Sequence, residues 1–163
     1  MEPPDAVGDL YAGSYRRLVV QVYAVTGDLN EAQEAVQEAF VRILCDPGRL
    51  ARLDNPESWL RRVAVNVARS RYRRRRVLDT LLRRVEPPPA VPDLSPDHVM
   101  LMAALRTLPG GQRDVLALHY LADLSVEEVA RTLDVSTGTV KSRLARGRTV
   151  LAGLLTEPVG ELT

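Results

Sequence analysis

Aromatic residues are scarce in this chain, at 4% of the sequence with one Trp and one Phe, and β-branched residues rarely alternate with polar ones. A sheet is therefore not expected, and packing should run through Leu, Val and Ala. Cys45 is the only cysteine, which excludes an internal disulfide and fits a reducing compartment. The two histidines, His98 and His119, lack the Cys, Asp or Glu spacing of a metal site. A glycine-rich phosphate loop and a nucleophile motif are also missing, so no catalytic constellation is visible. No apolar run approaches the roughly 18 residues of a membrane span. The start, Met-Glu-Pro-Pro-Asp, has neither the basic end nor the apolar core of a signal peptide. These gaps point to a cytoplasmic protein that is not an enzyme, needs no cofactor or metal and does not insert in a membrane.

What is present points to helices. Hydrophobic residues at 45% and charged residues at 26% suit a folded chain of 163 residues. Four prolines between positions 87 and 92 exclude a helix there. The expected fold is all-α: two small helical domains, 1–84 and 98–163, joined by a Pro-rich linker at 85–97. Both are near the lower size limit for a self-sufficient core, so docking on a partner would help them. The front domain should hold a helix from Leu10 to Val25 stopped by Gly27, a second from about Asn30 to Cys45, and a third opening at Asn55-Pro56. Asp46-Pro47-Gly48 breaks the chain between the last two. In the rear domain Ser95-Pro96-Asp97 starts a helix that Pro109-Gly110-Gly111 ends, and another follows from Gln112 to Leu121. Ser125 and Glu128 form a capping box that opens a short helix to Leu133. Ser136 then caps a last helix to about Leu154.

Charge is distributed unevenly. Residues 1–40 carry Glu2, Asp5, Asp9, Asp28, Glu31, Glu34 and Glu38 against Arg16 and Arg17. Residues 61–76 carry Arg61, Arg62, Arg69, Arg71, Arg73, Arg74, Arg75 and Arg76 with no acid. Such a block suits a polyanion, and it needs a counter-charge to hold like charges on one helix. Asn66 follows Trp59 by seven positions and shares its stripe. Core packing is the simpler role for Trp59. For Asn66 a satisfied structural amide and contact with the edge of an unstacked base fit the pattern equally. On the second helix Glu34, Gln37, Glu38 and Arg42 form a polar face that can meet a basic protein surface, although a wet helix face is the simpler reading.

From Ser125 to Leu151 a short capped helix, a tight turn and a longer basic helix match a helix-turn-helix, whose second helix enters a DNA major groove. Val140, Leu144 and Leu151 fall on one stripe, while Thr139, Lys141, Ser142, Ala145 and Arg146 project elsewhere as candidate readers. Arginine can hold guanine O6 and N7 together, and Ala145 permits close approach. A solvated basic helix in a plain bundle is the alternative.

Over nearly its whole length the chain resembles the extracytoplasmic-function sigma factors of the sigma-70 family. Asp28 to Phe40, Asn55 to Asn66 with the arginines after it, Leu108-Pro, Gln112 to Leu116, Leu124 to Ala130, and Gly138 to Arg146 carry the resemblance in order. It implies a sigma factor that directs promoter-specific transcription, with bacterial core RNA polymerase (beta-prime clamp helices and beta flap) and promoter DNA as partners. An anti-sigma factor is left open. The resemblance places core binding on Glu34, Gln37 and Glu38, minus-10 contacts on Asn66, Ser70, Arg71, Arg73 and Arg74, and minus-35 contacts on Thr139, Lys141, Ser142, Arg143 and Arg146. Ala145 and Ser70 stand where some members have bulkier side chains, so the promoter sequence cannot be copied from a relative. The rival readings are a stand-alone helix-turn-helix regulator of duplex operators and a helical adaptor without a nucleic-acid role.

Overall fold

A computed structural model describes residues 5–46, 48–82 and 96–156, and these divide into two compact units. Helices and turns make up the described residues, with no strand among them. Residues 85–95 of the expected linker lie outside the described residues, as does Ser95 of the predicted start signal.

In the front unit α1 (Ala6–Thr26), α2 (Leu29–Cys45) and α4 (Pro56–Leu82) pack against one another in pairs. Gly27 ends α1 at φ 67°, a left-handed conformation that glycine adopts without a Cβ clash, and its N–H bonds to the carbonyl of Tyr23. One residue later Asp28 caps α2, its carboxylate accepting from the Glu31 N–H at 3.1 Å. Asn55 caps α4 by accepting from the Ser58 N–H at 3.0 Å. The core is made of aliphatic and small side chains, among them Leu18, Val22, Val36, Ile43, Leu60 and Val65. Ala32, Ala35 and Ala39 on α2 are fully buried, and residues this small let helix axes approach closely. The segment expected to be a plain break contains one helical turn, α3 (Arg49–Arg52). Asp46 anchors it by accepting from Arg52 at 2.8 Å and pairing with Arg49 at 3.2 Å. Trp59 is half-buried and not in the core, with the Arg49 guanidinium 5.0 Å from its ring centroid. Cys45 is exposed.

The rear unit comprises α5 (Pro96–Arg106), α6 (Gly110–Leu116), α7 (Val126–Leu133) and α8 (Thr137–Thr156). Pro109 and the two glycines do not simply end a helix. Pro109 is extended and precedes α6, whose first turn holds Gly110 and Gly111. The helix expected through Leu121 changes to a single π-helical turn at Ala117–Leu121, with the Ala122 N–H reaching the Ala117 carbonyl at 3.1 Å. The capping box forms as expected. Ser125 Oγ accepts from the Glu128 N–H at 3.1 Å, and Glu128 accepts from the Ser125 N–H at 2.8 Å. Asp134 turns the chain with a left-handed φ of 55°, and Ser136 Oγ caps α8 through the Thr139 N–H at 3.1 Å. Leu116, Leu118, Val129, Val140 and Leu144 fill the core. Gly147 makes this packing possible, since a Cβ there would lie 2.7 Å from Leu116 Cδ1.

Candidate functional site

Helix α4 sorts the arginine block by periodicity, and the sorted residues do different things. Arg61 is buried between helices and donates through Nε to the Gln21 amide oxygen at 2.8 Å. Arg71 reaches across to α2, donating to Glu34 at 2.9 Å and to Glu38 at 2.8 Å. One turn later Arg75 pairs with Asp28 at 3.2 Å and with Glu31. The counter-charge that eight arginines require is thus supplied in part within the unit, by the acidic face of α2. Each exposed pair contributes at most about 1 kcal/mol, so the ladder matters more for local neutralisation than for stability. It joins residues expected to serve different partners, Arg71 for DNA and Glu34 with Glu38 for protein.

The opposite side of α4 is different. Arg62, Asn66, Ser70 and Arg73 follow one another at three- and four-residue intervals on an exposed stripe, with exposed Arg74 beside it. The Asn66 amide has no hydrogen-bond partner among the described residues, and a structural amide would be buried and satisfied. Neither Arg73 nor Arg74 has an ion-pair partner among the described residues. Arg62, which the sequence pattern left within a general charge block, joins this face because it lies four residues before Asn66.

On α2 Gln37 is exposed and donates weakly to the Tyr15 hydroxyl at 3.4 Å, while Glu38 also accepts from Arg42 at 3.2 Å. Exposed Val41 and Leu44 extend the Glu34–Gln37 stripe toward the end of the helix. Leu44 is exposed although its spacing from the buried Phe40 and Ile43 would suit a core residue. Tyr15 stacks on Tyr11 with ring centroids 4.5 Å apart, and Tyr11 meets the buried Phe40 edge-on at 5.0 Å. The aromatic pair therefore braces the polar face of α2 from α1.

In the rear unit α7 and α8 pack together across the Asp134–Ser136 turn. Gly138, Ser142, Ala145 and Thr149 follow at three- and four-residue spacing along an exposed face of α8, flanked by Lys141 and Arg146. Small residues in the middle with cations at both edges suit a helix that must approach a groove floor between two phosphate strands. Thr139 and Arg143 fall outside this face. The Thr139 hydroxyl contacts Ser136 Oγ at 2.9 Å within the cap. Half-buried Arg143 lies over Gly111, where a Cβ would stand 3.2 Å from its guanidinium carbon.

A helix-turn-helix with a basic, small-centred face, together with a second basic helix face on another unit, is an arrangement suited to a helical nucleic-acid-binding protein. The sigma-70 region 2 profile matches residues 10–77, and the sigma-70 region 4 profile matches residues 98–151. The chain is 29% identical to the ECF RNA polymerase sigma factor SigW of Bacillus subtilis, over 90% of this chain and 87% of the relative. It is 32% identical to the ECF RNA polymerase sigma factor SigE of Mycolicibacterium smegmatis, over 96% and 68%. The RNA polymerase sigma-E factor of Streptomyces avermitilis is 34% identical, over 85% and 74%. Among solved structures, the sigma factor RpoE in complex with the anti-sigma factor NepR from Bartonella quintana shares the fold. That match has a TM-score of 0.75 and 22% identity, covering 94% of this chain and 98% of the other. CnrH in complex with the cytosolic domain of CnrY matches with a TM-score of 0.66 and 24% identity, covering 94% and 89%. The chain belongs to the extracytoplasmic-function group of RNA polymerase sigma factors in the sigma-70 family. Among the described residues no helix is long and apolar enough to cross a membrane.

Proposed function

We propose that this sigma factor binds bacterial core RNA polymerase through the front unit and recruits it to promoters by reading two DNA elements. The observation that carries the reading is the division of charge on α4. Arg71 and Arg75 pair with α2, whereas Asn66, Ser70, Arg73 and Arg74 stay open on the other side. That open face suits a separated minus-10 strand, with the Asn66 amide on a base edge and the arginines on phosphates. Domain limits of 1–84 and 98–163 bracket the two functions, and the second unit reads the minus-35 duplex through Lys141, Ser142 and Arg146.

The polymerase surface comprises Glu34, Gln37 and Glu38, extended by Val41 and Leu44, and it docks on the beta-prime clamp helices while the rear unit meets the beta flap. Thr139 and Arg143 support the reading helix more than they read. The anti-sigma factor named with RpoE makes a protein of that kind a proposed partner here as well. The protein acts in the cytoplasm, where polymerase and promoters are, and makes no covalent bond itself. Reconstitution with core polymerase, followed by sequencing of transcript starts, tests this. Initiation at a shared promoter pattern only when the chain is present is the expected result. Tight, specific operator binding by the chain alone, without core-dependent initiation, would establish the stand-alone regulator instead.

A further inference from the structure

Beside the reading face of α8 lies a second contact that neither the sequence pattern nor family membership assigns. Arg148 is exposed and follows Lys141 by seven residues, so it continues the same edge of the helix two turns farther on. It donates through Nε to the hydroxyl of Tyr120, and its guanidinium carbon lies 5.5 Å from the Tyr120 ring centroid. No carboxylate among the described residues pairs with it, and α8 contains no acid from Thr137 to Thr156. The guanidinium is therefore held in place while keeping its full charge.

Tyr120 is itself 54% exposed, so both members of the pair are open to solvent. It sits in the π-helical turn Ala117–Leu121. A π-turn adds one residue to a helical turn and shifts the side chains after it, and such turns are rare and concentrated at functional sites. In this turn His119 is tied back, its Nδ1 2.7 Å from the Leu124 carbonyl, and its ring meets Tyr120 edge-on at 4.8 Å. The tyrosine is fixed by its neighbour on one side and by Arg148 on the other. With Nε engaged on Tyr120, the two Nη groups of Arg148 have no hydrogen-bond partner among the described residues, and such a pair can make a bidentate contact with phosphate.

We infer that Arg148, oriented by Tyr120, is a binding site for a DNA backbone phosphate at the flank of the upstream promoter element. This rests on the sigma-factor reading above. A phosphate at this edge would fix how far α8 rolls in the groove and so set the register of Lys141, Ser142 and Arg146 without reading a base. Arg148 is the binding residue. Tyr120 is a positioning residue.

The test uses holoenzyme assembled from the full chain and core polymerase, with duplex promoter DNA recovered by transcript sequencing, titrated across a series of potassium chloride concentrations. Arg148→Ala should weaken binding roughly equally on every upstream sequence variant and reduce the slope of log affinity against log salt by about one. Its deficit against the wild type should therefore shrink about threefold between ~50 mM and ~200 mM salt. Arg148→Lys keeps the charge and should retain the slope with a smaller loss. Tyr120→Phe keeps the ring but not the hydroxyl, and should lower affinity by about two- to threefold with the slope unchanged, because the contact still forms from a less ordered guanidinium.

An unchanged slope for folded Arg148→Ala would make the pair a structural tether only and overturn the inference. Loss confined to one base pair would make Arg148 a base reader, and loss of core-polymerase affinity without DNA would make it a protein contact. Either outcome rejects the phosphate site while leaving the sigma-factor reading intact. Absence of promoter binding by the wild-type holoenzyme would instead remove that reading, and this inference with it.

Discussion

Asn66 and Arg146 are proposed to meet DNA in two different ways. Asn66 is exposed, without a hydrogen-bond partner among the described residues, so its amide carries no visible structural load. Asn66→Ala should therefore leave the melting temperature of the chain nearly unchanged and slow promoter opening by the holoenzyme. Base extrusion costs a few kcal/mol, which a pocket must offset, and a premelted template removes that cost. Transcription on premelted DNA should recover most of the lost activity, whereas equal loss on duplex and premelted templates would deny base capture. Arg146→Ala should cost about 1–3 kcal/mol and relax selectivity at one upstream position if the contact is bidentate. Arg143→Ala, made where the side chain is half-buried over Gly111, should lower stability and leave base selectivity alone. Binding to a panel of single-base upstream variants separates the two.

At the scale of elements, α6 and α8 meet through a glycine. Gly147→Ala would place a methyl group 2.7 Å from Leu116 Cδ1 and 3.5 Å from Gln112 Cβ, and Leu116 is buried with little room to move. Overpacking of this kind costs about 1–3 kcal/mol. Because Trp59 is the only tryptophan and lies in the front unit, its fluorescence should report an unchanged transition while circular dichroism shows earlier loss of rear-unit helix.

An ion pair also joins α1 to α4. Arg17 donates to Glu57 through Nε at 2.5 Å and Nη2 at 2.8 Å, and these bonds hold the Glu57 carboxyl below its ordinary value against an opposing effect of partial burial. A depressed carboxylate pKa stabilises the fold above the ordinary value of 4.5, and that contribution is lost as pH falls through the folded-state pKa. Glu57→Gln should lower the melting temperature at neutral pH, with the difference from wild type narrowing in acid. A constant difference at every pH would refute the linkage.

For the whole molecule, the two open basic faces lie on separate units, each with its own core. One small basic face neutralises few phosphates, and affinity at physiological salt rises steeply with their number. The free chain should bind promoter duplex weakly and gain specific binding on adding core polymerase. Mobility-shift titrations with and without core check this, and strong specific binding by the chain alone would contradict it.

Much of this organisation is legible in the sequence because local signals carry it. Gly27, Asn55, the Ser125–Glu128 box and Ser136 mark helix ends through contacts made within a few residues, and apolar spacing identifies most of the core. The scarcity of aromatics and of alternating β-branched residues was enough to exclude a sheet. The division of labour among the arginines was not legible. Whether Arg71 faces a carboxylate or a phosphate depends on which side of α4 packs against α2, a contact between residues more than thirty positions apart. Periodicity likewise could not show that Trp59 would be half-buried under Arg49, that Arg143 would rest on Gly111, or that a π-turn would bring Tyr120 to Arg148, because each contact joins different elements. Sequence sets the helices and their charges; only tertiary packing decides which of those charges are neutralised inside the fold and which remain open on its surface.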